Sequence, residues 1–286
     1  MTQENFEVIC NDGVPLNGTL LVPKNPKAVI QFNCGTATPT KFYLPFLTFL
    51  AENGYLCCLW NYRGSNPNDN LKNCDYTYSD YGQKDMPAIK KYLQNKFPTL
   101  PFIFMGHSAG GQQIGFIEDL SNVAGVINIA VSTGYYPNMP LPYRLKAYFF
   151  FYVFSPISVL KNGFVNAKPF GFMENLPKKV VFEWRDWLEK DNYFFDKKFY
   201  GKTVPIGHYQ NFDFPIHTYY AVDDTISNTK NTQSFWRNVK SKKAITFSEL
   251  KPSDFGLKKI DHFGYFKKSM KDTLWVDIVK RLDKLV

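Results

Sequence analysis

The stretch Gly106-His107-Ser108-Ala109-Gly110 constrains the fold of this chain more than any other. It closes the apolar run Phe102-Ile103-Phe104-Met105 and opens a stretch with helical character, Gln112 to Leu120. A serine framed by glycines between a strand and a helix has a physical reason. The serine backbone must take a strained conformation to push its hydroxyl out of the turn. Side chains at 106 and 110 would collide with the neighbouring strand and helix. Such a nucleophile elbow presents Ser108 for attack. It also sets the Ala109 N–H at a helix N-terminus, where it can donate to an oxyanion.

The rest of the chain fits that turn. Phe6 to Cys10 and Leu16 to Val22 are extended pieces around a hairpin signal, Asn11-Asp12-Gly13. Ala28 to Asn33 reads as a buried strand ending at Cys34-Gly35-Thr36. Helical spacing across Phe42, Phe46, Leu47, Leu50 and Ala51 stops at Asn53-Gly54. Tyr55 to Trp60 is the next strand, Tyr81 to Phe97 contains a helix, and Ala124 to Ile129 follows the elbow as another strand. Strands alternating with helices predict an α/β fold, a mostly parallel sheet with helices on both faces. The rhythm breaks after Ser132-Thr133-Gly134. It resumes with a strand at Phe214 to Val222, an amphipathic helix at Thr229 to Val239, a short strand at Ala244 to Phe247 and a helix at Met270 to Leu285. The expected organisation is a core of residues 1–134 and 212–286, with residues 135–211 inserted after the sixth strand as a helical cap.

A serine hydroxyl needs a histidine base, itself oriented by a carboxylate. On such a sheet the partners follow in the order serine, acid, histidine. Asp224, in Val222-Asp223-Asp224-Thr225-Ile226, is the expected acid, with Asp223 as a turn-stabilising carboxylate. His262, in a loop after the last strand and before the last helix, is the expected base. His208 and His217 read as structural, His217 as a packed core residue. His107 adjoins the nucleophile and cannot fold back on it, so it reads as shaping the pocket. The second oxyanion donor is expected from the loop after Asn33: the Thr36 N–H, with Gly35 as the alternative. Cys34 lies nearby without a basic partner to lower its pKa, and reads as structural.

Lysine and arginine outnumber aspartate and glutamate 34 to 25, a net charge of +9. The basic residues are mostly scattered pairs, as on a solvated surface, with attraction to anionic lipids or acidic substrates as the lesser reading. No nucleic-acid module accompanies them. The five cysteines form no CxxC pair or Cys/His cluster, which argues against zinc. With no basic, apolar leader at the N-terminus, a reducing cytoplasm is expected. Ala147 to Leu160 is aromatic but too short to span a bilayer, leaving only peripheral membrane contact open.

The combined pattern resembles the α/β-hydrolase superfamily, in its serine aminopeptidase-like or monoacylglycerol-lipase-like division, and most closely a bacterial group of predicted α/β-hydrolases. The stretches that carry the resemblance are Gly35 to Tyr43, Asn61-Tyr62-Arg63-Gly64, the elbow, Ser132 to Tyr135, Phe182 to Trp187 and Ile260 to Phe266. It implies a Ser108-Asp224-His262 triad and neither metal nor organic cofactor. Many members carry His-Gly where Cys34-Gly35 stands here. The aromatic segment from Tyr143 to Phe154 suits an acyl chain or aromatic ester better than a charged peptide. Glu183, Arg185 and Asp186 are expected to tie the cap to the body as an ion network, with substrate contact as the lesser reading. The expected function is a serine hydrolase, a carboxylic-ester hydrolase working through an acyl-enzyme on a small-molecule ester. Peptidase, amidase or acyltransferase chemistry, or non-catalytic small-molecule binding, are the alternatives.

Overall fold

A buried parallel strand is covered on both faces, so it lacks the alternation of a half-exposed one. Strands β3 (Ala28–Asn33), β4 (Tyr55–Trp60) and β5 (Phe102–His107) are buried at every residue in the computed structural model, which describes residues 1–66 and 69–286. They form the centre of an eight-stranded sheet in the order β1-β2-β4-β3-β5-β6-β7-β8. The outer strands are β1 (Thr2–Ile9) and β2 (Pro15–Val22) on one side. β6 (Val123–Ile129), β7 (Ile216–Ala221) and β8 (Ile245–Leu250) complete the other. The β1–β2 and β2–β4 pairs are antiparallel and the remaining pairs are parallel, the mostly parallel sheet the alternation predicts.

The strand order decides where a site can form. From β3 the chain crosses outward to β4, then returns past β3 to β5. The connection leaving β3 thus runs to one side and the one leaving β5 runs to β6 on the other, opening a crevice at the carboxyl ends of β3 and β5. Helix α1 (Leu44–Glu52) lies between β3 and β4. Helix α2 (Met86–Lys96), preceded by a π-helical turn at Tyr81–Asp85, leads into β5. The elbow helix is shorter than expected: α3 covers Ala109–Gln112, one 3-10 stretch covers Gln113–Phe116, and Ile117 is extended. Gly111 and Gly115 weaken a helix here. A Cβ at Gly115 would lie 2.4 Å from the Tyr209 ring, so the glycine serves close packing instead.

Gly110 makes the tightest approach. A Cβ there would sit 2.0 Å from the Asn33 carbonyl oxygen, a backbone atom at the end of β3 that cannot rotate away. Gly110→Ala is expected to cost about 3 kcal/mol or more. Thermal denaturation would show a fall of roughly 10 °C. At Gly171, φ is 70° but a Cβ meets nothing within 4 Å. Gly171→Ala is expected to cost only about 1 kcal/mol.

Between β6 and β7 the chain is helical. One helical rod runs from Leu141 to Asn162, as α4 (Leu141–Tyr148), a π-helical turn (Phe149–Phe154) and α5 (Ser155–Asn162). The π turn stands just ahead of Pro156, whose missing N–H and ring would break regular α bonding. Gly163, at φ 82°, ends the rod. Helix α6 (Lys178–Leu188) follows. After β7 come α7 (Thr229–Trp236), β8 and, behind a π turn at Lys271–Trp275, α8 (Val276–Leu282). Strand β8 runs three residues past the expected Phe247, pairing to Ala221 through Leu250.

Candidate active site

Ser108 follows β5 with φ 52° and ψ −120°, a left-handed conformation costly for any residue with a Cβ. Its own N–H donates to the Ile129 carbonyl at 2.9 Å, and its carbonyl accepts from Gly111 and Gln112 at 3.0 and 3.1 Å. The elbow is thereby clamped to both β6 and α3. The hydroxyl is half-buried and makes no hydrogen bond among the described residues.

Asp224 and His262 meet on loops that pack against His107, the residue before Ser108. Asp224 Oδ2 accepts from His262 Nδ1 at 2.9 Å and from the Tyr265 hydroxyl at 3.5 Å. Asp224 Oδ1 accepts from the Ile226 and Ser227 N–H groups at 2.8 and 2.7 Å. Both carboxylate oxygens are thus occupied and the side chain has one orientation. Asp224 and His262 are 1% and 5% exposed, so water competes little for their bond. Asp223 faces away: its Oδ2 accepts from the Ile260 and Asp261 N–H groups at 2.9 and 3.2 Å, holding the loop that carries His262.

His107 has a larger part than shaping a pocket. Its Nε2 lies 3.0 Å from the His262 carbonyl oxygen, which can only accept, so Nε2 carries the proton. Its Nδ1 therefore accepts from the Tyr43 hydroxyl at 2.7 Å. The Tyr43 oxygen in turn accepts from the Gly35 N–H at 3.0 Å. Burial, and then the neighbouring His262, hold the His107 pKa well below its ordinary value, so the ring stays neutral and the chain of bonds keeps its direction. One relay thus joins the loop after β3, the elbow and the His262 loop. A Cβ at Gly35 would lie 2.7 Å from His107 Nδ1, which explains the glycine.

The Gly35 N–H is committed to Tyr43, whereas the Thr36 and Ala109 N–H groups donate to no protein acceptor among the described residues. Cys34 is buried, and burial alone pushes its thiol far above its ordinary pKa, which suits a packed residue and not a nucleophile. His217 is buried in β7 with its ring nitrogens 2.7 and 3.1 Å from Thr246 Oγ1 and Ser248 Oγ, while His208 is exposed.

Residues of the β6–β7 segment grip the same loop. The Thr36 hydroxyl hydrogen-bonds the Tyr78 hydroxyl. Tyr78 stacks on Trp187 of α6, with ring centroids 5.1 Å apart and planes 13° from parallel. The Tyr78 N–H donates to Glu183 Oε2 at 2.6 Å, and burial lifts that carboxyl to about 7. The Glu174 N–H donates to the carbonyl of Ala37, itself at φ 53°. This corrects the expected ion network. Glu183 crosses to the body through a backbone N–H, while Arg185 and Asp186 pair with each other at 2.7 Å. Tyr43 and Tyr265 lay inside stretches that carry the resemblance, but only the fold shows what they touch. Among the described residues no group of His, Cys, Asp and Glu could hold a metal. A void of about 10 Å³ behind α3, lined in part by Gly111 and Asn128, has room for one water at most. An open groove of about 460 Å³ over β1 and β2 is lined by none of the residues around Ser108.

This sheet order with a serine elbow at its switch point defines an α/β-hydrolase. The chain belongs to the family described as serine aminopeptidase, S33, whose model matches residues 24–176 and so includes Thr36 and Ser108. A soluble variant of monoglyceride lipase from Saccharomyces cerevisiae, bound to a substrate analog, superposes with a TM-score of 0.69 at 16% identity, covering 100% of this chain and 96% of the other. A thermostable carboxyl esterase from Bacillus coagulans gives 0.65 at 12% identity, with 100% of both chains covered. Alpha/beta hydrolase domain-containing protein 10 from mouse gives 0.60 at 17% identity, covering 99% and 100%. At these identities the likeness is one of fold. A search of curated protein sequences finds no match.

Proposed function

We propose that the protein is a carboxylic-ester hydrolase acting through an acyl-enzyme on Ser108. The observation that supports this reading is the fully bonded Asp224–His262 pair, whose His262 packs on His107, the residue before a strained serine, while the Ala109 and Thr36 N–H groups are unused. His262 Nε2 takes the hydroxyl proton as Ser108 Oγ attacks the ester carbonyl. Asp224 fixes the ring so that Nδ1 keeps its proton and Nε2 is free to accept. The Ala109 and Thr36 N–H groups receive the oxyanion, since the Gly35 N–H already donates to Tyr43. Collapse expels the alkoxide, which takes the proton from His262. Water, deprotonated by the same ring, then releases the carboxylic acid.

An ester suits the surroundings better than a peptide. His107 and His262 are flanked by Phe263 and Phe266, and Phe42 packs on both phenylalanines. We assign residues 135–211 as the cap that supplies the substrate pocket on a core of 1–134 and 212–286. Tyr143 of α4 lies within electrostatic reach of Asp224, which supports that placement. The five cysteines are all unpaired, which supports a cytoplasmic setting. The family's description favours a second reading, an aminopeptidase, which would need a carboxylate to receive the substrate's amine.

The test is labelling by a fluorophosphonate probe, followed by rates on nitrophenyl esters of increasing chain length beside amino-acid nitroanilides. Labelling that vanishes in Ser108→Ala, with turnover of the esters, is the expected result. Turnover of nitroanilides alone would install the peptidase reading. Failure of the probe to label would remove the hydrolase mechanism and revive non-catalytic binding.

A further inference from the structure

The rod from Leu141 to Asn162 buries one side and leaves the other bare. Phe150, Phe151, Ser155 and Ser158 face inward and are buried. Leu141, Leu145, Phe149, Val153, Ile157 and Leu160 recur at three- and four-residue steps along the outer side. All are exposed, Leu145 by 59%, Ile157 by 50% and Leu160 by 88%. A stripe of this kind spans roughly 30 Å of helix, and soluble monomers seldom expose a continuous apolar face of that extent. Among the described residues no helix is long and apolar enough to cross a membrane, so the rod is not a span.

Charge selects the occupant. From Leu120 to Met173 the chain contains no aspartate or glutamate. Within that interval the rod carries Arg144, Lys146 and Lys161, none of which forms an ion pair among the described residues. Of the carboxylates on α6 and just past it, Asp186 is paired with Arg185, and Glu189 accepts from the Tyr152 hydroxyl. We propose that this face docks on an anionic lipid bilayer, the leucines and phenylalanine entering the acyl boundary and the three cations meeting the headgroups. A second copy is the poorer partner. A two-fold contact would set Arg144, Lys146 and Lys161 against their own images with no acid on the face to offset them.

The experiment is co-sedimentation of the full chain with phosphatidylcholine vesicles, with and without phosphatidylglycerol. It reads binding without turnover, so its failure is separate from any failure of the ester-hydrolase reading. The wild type is expected to bind the anionic vesicles, with affinity falling as salt rises. Leu145→Glu with Ile157→Glu is expected to weaken binding about a hundredfold. Each of Arg144→Gln, Lys146→Gln and Lys161→Gln should weaken it about fivefold. Thermal melting and probe labelling of Ser108 should be unchanged in all of these, because Leu145, Lys146, Ile157 and Lys161 face solvent and Arg144 makes only one long hydrogen bond, to the Pro137 carbonyl at 3.4 Å. Equal binding to neutral vesicles, wild-type binding by the double-glutamate variant, or no binding by the wild type would overturn the proposal. So would a wild-type dimer that ignores vesicles and becomes monomeric with the glutamates, which would assign the face to a second copy.

Discussion

Ser108→Ala is expected to lower kcat/KM on the best ester by about five to six orders of magnitude, because the remaining groups of a triad achieve little without the nucleophile. The alanine keeps the elbow's strain, since φ 52° burdens any Cβ. Ser108→Gly separates the two effects. It should be equally inactive, yet more stable than wild type by about 1 kcal/mol, because glycine adopts this backbone without the penalty. In a chain of this size that amounts to a rise in Tm of about 2–4 °C. A glycine variant that melts below wild type would show that the serine hydroxyl contributes to stability in a way the structure does not display. Esterase activity surviving in the alanine variant would remove Ser108 from the mechanism altogether.

The second large effect is expected at Asp224. An asparagine there keeps one oxygen for the Ile226 and Ser227 N–H groups, so the turn survives. The other position becomes an N–H donor facing His262 Nδ1. The ring then holds its proton on Nε2, where it can no longer accept from Ser108. A loss of about ten-thousandfold in kcat follows from that tautomer. Asp223→Ala makes the opposite trade. It frees the Ile260 and Asp261 N–H groups and should cost about 2 kcal/mol of stability, while kcat falls far less than in Asp224→Asn. Measuring kcat and Tm on both variants decides which aspartate orients the base. Comparable kcat losses at the two positions would overturn the assignment.

The strained turn at Ser108 and the Asp224–His262 pairing were legible because each answers a local requirement: a glycine-framed turn, and loops at the ends of strands in a fixed order. The parallel centre was legible because β4 is a continuous apolar run and β3 and β5 are largely apolar. Strand β8 was read short because Ser248 and Glu249 interrupt its apolar pattern before Leu250. The elbow helix was read long because its pattern is helical, while packing of Gly115 against Tyr209 imposes something else. The relay through Tyr43 and His107 had no local signal. Its partners stand 64 and 155 residues apart in the chain, and only the assembled fold brings them together. The same holds for Glu183, whose partner was expected to be a cation and is the backbone of Tyr78.

The grip of α6 and Glu174 on the loop after β3 bears on how such a chain can change over generations. Thr36, Ala37 and Tyr78 are held in part by the segment that would also face the substrate. Substitutions selected in α6 for a new substrate would displace the Thr36 N–H as well. Selectivity and rate would then drift together, and a lineage acquiring a new preference would pass through slower enzymes before Tyr78 was seated again. Exchange of residues 135–211 between relatives would meet the same obstacle unless Tyr78 and the loop travelled with them.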